Sequence, residues 1–211
     1  MTSSRCVVAL ALAASLAAAP AGAAPLLPVA EPVAAPDPPR AGVLVGLPGW
    51  GRRSGPGTLH TYRVFVEAAV PVSPGEFASF VADVLGDRRG WGSLGHAFRR
   101  VPADHESDFR IVLARAPTSE RLCEPVETYG RYSCFDGYDA VVNHMRWRDG
   151  APAYEDIERY RTYVVNHEIG HALHFGHTTC VTPGGRAPVM VQQTKGVGAC
   201  RPNPWPAPTG G

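Results

Sequence analysis

Four of the eight histidines of the chain fall between residues 167 and 177, in the run HEIGHALHFGH. Within this run His167, Glu168 and His171 form an HExxH pattern. Because an α-helix turns by about 100° per residue, side chains four residues apart lie on one face, so both imidazoles can reach a single Zn²⁺. Glu168 projects beside them, where its carboxylate can take a proton from a water that the ion activates. The spacing therefore predicts a hydrolytic metal centre on a helix.

Two histidines do not complete such a centre, because a catalytic zinc ion takes three protein ligands and keeps a fourth position for water. No Asp or Glu occurs after Glu168, which excludes a downstream carboxylate ligand. Two downstream imidazoles remain. His174 stays on the ligand face but lies about 10 Å along a continued helix from His167, whereas His177 requires the helix to end and the chain to turn back. We expect His177 to be the third ligand, with His174 as the alternative.

The rest of this predicted helix is apolar on its opposite side. Val165, Ile169 and Ala172 fall opposite the two ligand histidines, which predicts that the helix packs on a sheet with its ligands facing outward. The remaining histidines have no helical ligand spacing, and we expect them at the surface or in hydrogen bonds: His60, His96, His105 and His144.

The segment upstream predicts a sheet with one packing helix. Ser73 and Glu76 form a capping box with Pro74 at the first helical position, and apolar residues follow at helical spacing from Phe77. Four stretches have the apolar and β-branched composition of strands: 61–70, 97–101, 108–115 and 140–147. The chain is therefore predicted to have an α+β fold.

The two ends of the chain differ in composition from this core. Residues 1–23 combine Arg5, an apolar run and small residues at 21–23, which is typical of a secretory signal peptide. Residues 24–57 are rich in Ala, Pro and Gly and are interpreted as a linker or pro-segment. The catalytic-type domain is predicted over residues 58–205, followed by a flexible tail over 206–211.

The predicted signal peptide and the net charge bear on location and partners. The apolar run at 7–19 is shorter than the roughly 20 residues that span a bilayer, so we expect its removal and a secreted protein without stable membrane insertion. Retention of the segment as an anchor would instead place the protein at the cell surface. A net charge of +1 supplies no basic field for nucleic acid, which we do not expect as a partner.

Four cysteines remain after the predicted signal peptide, and no CxxC pair occurs among them. An even number in an exported chain indicates two disulfides. Of the three possible pairings, the one local in sequence closes short loops and is the one we expect: Cys123 with Cys134, and Cys180 with Cys200.

The run HEIGHALHFGH resembles the HExxHxxGxxH signature of the metzincin zinc peptidases. The resemblance implies that His167, His171 and His177 hold one catalytic Zn²⁺ and that Glu168 is the general base. His174 stands where the signature has glycine, whose role is to let the chain turn sharply out of the helix. Histidine tolerates positive φ better than most residues, so the departure affects the turn rather than the ligands.

Further features of the resemblance concern the fold. Metzincins place a methionine in a tight turn beneath the zinc site, which implies this role for Met190 in the segment APVM. The implied fold is a mixed sheet with an N-terminal packing helix, a central HExxH helix and a small irregular C-terminal part. Residues 62–205 also resemble an uncharacterised family of exported proteins from GC-rich bacteria, known as a domain of unknown function.

We therefore expect a secreted zinc-dependent endopeptidase that hydrolyses peptide bonds in an extended peptide or protein substrate. The resemblance implies that the substrate lies along an exposed sheet edge, for which the strand at 108–115 is the candidate. The alternative is a non-catalytic, zinc-stabilised module that binds a partner at the cell surface. A domain stabilised by disulfides without metal would leave the clustered histidines unexplained.

Overall fold

The computed structural model describes residues 41–206. The predicted signal peptide, residues 24–40 of the predicted linker, and residues 207–211 of the predicted tail lie outside the described residues. A 3₁₀ turn at Trp91–Leu94 precedes the third strand, and the regular elements are β1 (Leu44–Gly46), β2 (Thr58–Glu67), α1 (Pro74–Gly86), β3 (His96–Arg100), β4 (Phe109–Ala114), α2 (Ala116–Cys123), β5 (Cys134–Phe135), β6 (Asp139–Asn143), α3 (His144–Asp149) and α4 (Ile157–Ala172).

The six strands form one mixed sheet, which confirms the predicted α+β fold. The strand order is β1-β2-β4-β6-β5, and β3 pairs with the first half of β2. Strands β2, β3, β4 and β6 run parallel to one another, while β1 is antiparallel to β2 and β5 is antiparallel to β6. Across residues 41–206, no helix is both long enough and apolar enough to cross a membrane.

The central strands are covered on both faces. On one face Val64, Ile111 and Val142 pack with Phe77 of α1 and Ile169 of α4 in a single apolar cluster. On the other face α2 covers a smaller cluster that includes Val112 and Val141. Burial on both faces explains the continuous apolar runs of these strands. The predicted apolar back of the histidine-rich helix is confirmed, since Val165 and Ile169 are fully buried.

Helix α1 begins at the predicted capping box. The Ser73 side chain accepts a hydrogen bond from the Glu76 backbone N–H, and the Glu76 carboxylate accepts one from the Ser73 N–H. These two bonds satisfy donors that a helix otherwise leaves open at its first turn.

Strand β4 does not have the position that we expected. It pairs with β2 on one side and with β6 on the other, so its backbone is saturated and it cannot accept an extended peptide. The prediction that residues 108–115 form the exposed edge is therefore wrong. The edge nearest the histidines belongs to β5, a strand of two residues that sequence patterns do not reveal.

Two further segments differ from the sequence prediction. The strand predicted over 140–147 ends at Asn143, whose side chain accepts a hydrogen bond from the Met145 N–H and caps α3. Strand β1 lies within the predicted linker and pairs with the end of β2, where the buried Glu67 carboxylate also accepts a bond from the Gly42 N–H. This part of the linker therefore belongs to the sheet.

Both predicted disulfides are present with the expected pairing. Cys123–Cys134 joins the end of α2 to β5, and Cys180–Cys200 joins two loops of the irregular C-terminal part. Each bond therefore fixes a stretch of chain that has little regular structure of its own.

Candidate metal centre

Helix α4 presents the HExxH residues and ends immediately after them. The Asp156 side chain caps its first turn, accepting from the backbone of Glu158 and Arg159. At the other end the His174 N–H donates to the His171 carbonyl and the Phe175 N–H donates to the Gly170 carbonyl, both at 2.9 Å. This is the Schellman arrangement that closes helices.

His174 occupies the left-handed position of that closure. Its φ is +68°, in the region where glycine is usual. The imidazole is exposed to solvent, and the turn at His174 sends the chain back so that His177 returns toward the helix. The histidine that replaces the signature glycine thus adopts the conformation that the glycine would have.

Three imidazoles converge beyond this turn. The Nε2 atoms of His171 and His177 lie 3.0 Å apart, and one ring nitrogen from each of His167, His171 and His177 lies within 4.8 Å of the others. Zinc–imidazole bonds are about 2.0–2.1 Å long, so nitrogens that share an ion must be this close. Among the described residues this is the one group of three or more potential ligands that meets this spacing, and His174 is not part of it.

Backbone carbonyls orient two of the three rings. His167 Nδ1 lies 2.8 Å from the Val189 carbonyl oxygen, and His171 Nδ1 lies 2.9 Å from that of Phe175. Because a carbonyl only accepts, each Nδ1 must carry the proton, which leaves the Nε2 lone pair free to bind a metal. Sequence analysis could not find these two partners, since any residue supplies a carbonyl.

The three imidazoles are held in their neutral form. Burial lowers the pKa of His167 to about 3. The pKa values of His171 and His177 are also lowered, in both cases mainly by burial, and the His171 ring and Lys195 add to the effect on His177. Neutral imidazole is the form that binds metal, so a centre at this position would not compete with protons near neutral pH.

Glu168 lies in the same cavity and is unusual among the carboxylates of the protein. Its side chain is buried, and its Oε2 atom has no hydrogen-bond partner among the described residues. Burial alone raises the pKa of Glu168 to about 8. A buried polar atom without a partner carries a free-energy cost, and a nearby cation would favour the ionised form of this carboxyl group.

A segment within the loop closed by Cys180–Cys200 packs against helix α4. A Cβ added to Gly170 would lie 2.3 Å from Met190 Sδ and 2.8 Å from the Trp91 ring, so the buried Met190 packs directly under α4. The neighbouring Val189 supplies the carbonyl that holds His167. Met190 therefore packs against the helix that carries the histidines, and its assignment to a metzincin-type methionine turn stays a prediction.

Buried hydrogen bonds fix this segment to α4. The Tyr163 hydroxyl donates to the Val191 carbonyl and accepts from the Gln193 N–H. The Asn166 amide donates to the Pro204 carbonyl at 2.9 Å. An irregular stretch of chain is thus held in one position relative to the histidines.

The histidines open into a cleft of about 420 Å³. One wall consists of residues 126–128, 132 and 133 together with β5, and another includes Gln192, Thr194 and Lys195. Within residues 41–206, β5 pairs with β6 alone, so its second edge is open. The Glu120 carboxylate, which accepts from the Thr128 hydroxyl and the Gly130 N–H, holds the first wall in place.

The other histidines lie away from this group. His60 and His96 contact each other through Nε2 and Nδ1 at 3.0 Å, and His105 bonds to Asp104 at the surface. His144 is half-buried at the start of α3, where burial lowers its pKa. Lys195, which sequence analysis did not consider as a site residue, lines the cleft and is the only lysine of the chain, a signal that could have drawn attention to it.

Comparison with known proteins gave one match. The model of a family described as "Protein of unknown function (DUF3152)" matches residues 41–200, which include all the candidate site residues. No curated protein and no solved structure matches the chain.

Proposed function

Since the chain belongs to the DUF3152 family of proteins of unknown function, we propose from its own residues that it is a secreted, zinc-dependent endopeptidase of the metzincin type. The observation that carries this proposal is the convergence of three neutral imidazoles beside a buried carboxyl group without a hydrogen-bond partner. The two disulfides and the predicted signal peptide support export.

The donor set fits zinc. His167, His171 and His177 supply three nitrogen ligands, and the four cysteines that could have competed are bound in disulfides. Structural zinc sites fill four positions with protein, whereas catalytic sites use three and keep one open. When bound, the ion supplies Lewis-acid activation of water and of the substrate carbonyl.

The residues of the chain itself orient the ligands and transfer the proton. His167 and His171 donate their Nδ1 protons to backbone carbonyls and so present Nε2 to the site. Glu168 accepts a proton from the attacking water and later passes it to the leaving amine. Its free Oε2 supports this role over that of a purely structural zinc module, which needs no general base.

The open edge of β5 supports a peptide as the substrate. An extended chain that pairs with Cys134 and Phe135 would lie in the cleft next to the histidines and use its own main-chain groups for binding. This edge replaces the central strand β4 as the candidate for substrate binding.

The test compares the wild type with Glu168→Gln, using Glu158→Gln as a matched control. Glu158 lies on the same helix but is exposed at its first turn. We expect Glu168→Gln to retain one zinc per chain and to lose at least about 100-fold in peptide hydrolysis, because a general base contributes that much or more. Glu158→Gln should retain both properties. Equal hydrolysis by wild type and Glu168→Gln would refute the mechanism.

A further inference from the structure

We propose that Lys195 selects substrates that carry a carboxylate close to the bond that is cut. This inference rests on the proposed peptidase function and concerns its specificity. Lys195 lines the same cleft as the three imidazoles, and its Nζ lies 5.0 Å from the centre of the Tyr132 ring on the opposite segment of the lining.

Among residues 41–206, no carboxylate lies within 4.0 Å of the Lys195 ammonium group. The acidic residues that line the cleft are Glu127 and Glu168. The Glu127 carboxylate accepts a hydrogen bond from the Tyr129 hydroxyl, and Glu168 is buried at the helix. The Lys195 cation therefore forms no ion pair with the described residues, and Glu127 is the exposed carboxylate that shares the cleft with it.

A second cation shares the aromatic neighbour of Lys195, although it does not itself line the cleft. The Arg146 guanidinium lies 5.6 Å from the centre of the same Tyr132 ring. It donates hydrogen bonds to the backbone carbonyls of Arg131 and Gly150. Two cations on one aromatic ring create a local field that favours an anion.

The backbone that carries Lys195 is fixed in position. The N–H groups of Lys195 and Gly196 both donate to the Gln192 carbonyl. The adjacent Gln193 is fully buried, and its side chain accepts from the Tyr154 hydroxyl and the Asn203 N–H. The Thr194 hydroxyl lies 3.0 Å from that of Tyr160. Lys195 therefore extends from a rigid turn, which lowers the entropic cost of binding an anion.

A substrate carboxylate is the group that fits this arrangement. It can come from an Asp or Glu side chain near the scissile bond or from the C-terminus of a short peptide. A hydrogen bond to a charged group typically changes binding by about 10- to 100-fold, which sets the size of the expected preference.

The experiment measures kcat/KM for three peptides that differ only in the residue beside the cut bond. That residue is Glu, Gln or Lys. A second arm compares free and amidated C-termini of the same peptides. We expect the wild type to prefer Glu over Gln by about 10- to 100-fold if a side chain is read, or the free over the amidated terminus if the C-terminus is read.

Three variants complete the design. Lys195→Arg should keep the preference, and Lys195→Glu should reverse it toward the Lys-containing peptide. Arg159→Gln removes an exposed charge from α4 and should leave the preference for Glu over Gln unchanged. Zinc content of each variant checks that the site is intact. Cleavage that ignores substrate charge in both wild type and Lys195→Glu would overturn this inference alone, whereas failure of the wild type to cleave any peptide would overturn the proposed function and the specificity with it.

Discussion

Two groups of histidines in this protein bring ring nitrogens to 3.0 Å of each other. One is the pair His171 and His177 beside His167, and the other is His60 on β2 with His96 on β3. In the first group backbone carbonyls hold the second nitrogen of two rings, and a third imidazole and a buried carboxyl group complete the surroundings. In the second pair, His60 Nε2 and His96 Nδ1 contact each other directly.

The difference lies in what surrounds the rings rather than in how close they are. Two neutral imidazoles can satisfy each other by one donating to the other, and His60 and His96 need nothing more. At His167 and His171 a carbonyl already accepts the Nδ1 proton, so two Nε2 lone pairs point into the site and His177 can donate a proton to only one of them. The first group can therefore accommodate a cation, whereas the second pair satisfies itself.

The largest expected effect is on zinc content, which should differ between variants of the first group and variants of the second pair. We expect His171→Ala to weaken zinc binding by more than about 100-fold, because loss of a ligand exceeds the 10- to 100-fold effect typical of its hydrogen-bonding partners. His96→Ala, which breaks the other close pair, should still bind one zinc per chain. Elemental analysis and calorimetric titration measure both. Loss of zinc from His96→Ala would remove the distinction between the groups.

A smaller effect, on stability, is expected from a substitution where α4 packs against Met190. Gly170→Ala places a methyl group 2.3 Å from Met190 Sδ and 2.8 Å from the Trp91 ring, so both side chains must shift. We expect the free energy of unfolding to fall by about 1–3 kcal/mol and zinc affinity to fall with it. Gly92→Ala, in the turn beside His96, has no atom within 4 Å of the new methyl group and should change stability little. Chemical denaturation of the zinc-free proteins gives the comparison.

The turn at His174 offers a third, smaller test. Glycine relieves the left-handed backbone at φ +68°, but it also makes the unfolded chain more flexible. We expect His174→Gly to be more stable than His174→Ala by about 1 kcal/mol, because alanine keeps the strain. Both variants should bind one zinc ion. A drop in zinc stoichiometry would show that His174 belongs to the ligand set after all.

The smallest effect concerns protonation of the second pair. Burial, and then the neighbouring His96, lower the pKa of His60 below 6.5, with Asp108 opposing and His174 adding to the shift. The unfolded chain therefore takes up this proton first as the pH falls below about 6.5, and the folded state loses stability relative to it. His60→Gln lacks this titration. The stability of wild type relative to His60→Gln should decline between about pH 7 and pH 5, and parallel unfolding curves would contradict the assignment.

Sequence patterns predicted the features that depend on local spacing. The capping box at Ser73 and the two short disulfide loops follow from residues a few positions apart, and each is found as expected. The HExxH spacing correctly predicted a helix, but the prediction that its ligands face outward is wrong for His167, which is buried. The apolar back of α4 follows in the same way from its helical period.

Other features depend on contacts between distant parts of the chain. The apolar composition of β4 showed that it is a strand but not that β6 would pair with it, which made the choice of substrate edge wrong. Strand β5 has two residues and no pattern of its own. The strand predicted from Ala140 extended too far, into α3. It ends at Asn143 because the Asn143 side chain accepts a hydrogen bond from the Met145 N–H and caps that helix, a contact that composition does not reveal.

The order of the chain has a consequence for when the protein can act. A growing polypeptide that has been synthesised as far as His177 already possesses the three imidazoles and Glu168. It still lacks Val189, which holds His167, and Pro204, which anchors Asn166. The contacts that orient His167 and anchor α4 therefore form only once the chain as far as Pro204 is available for folding.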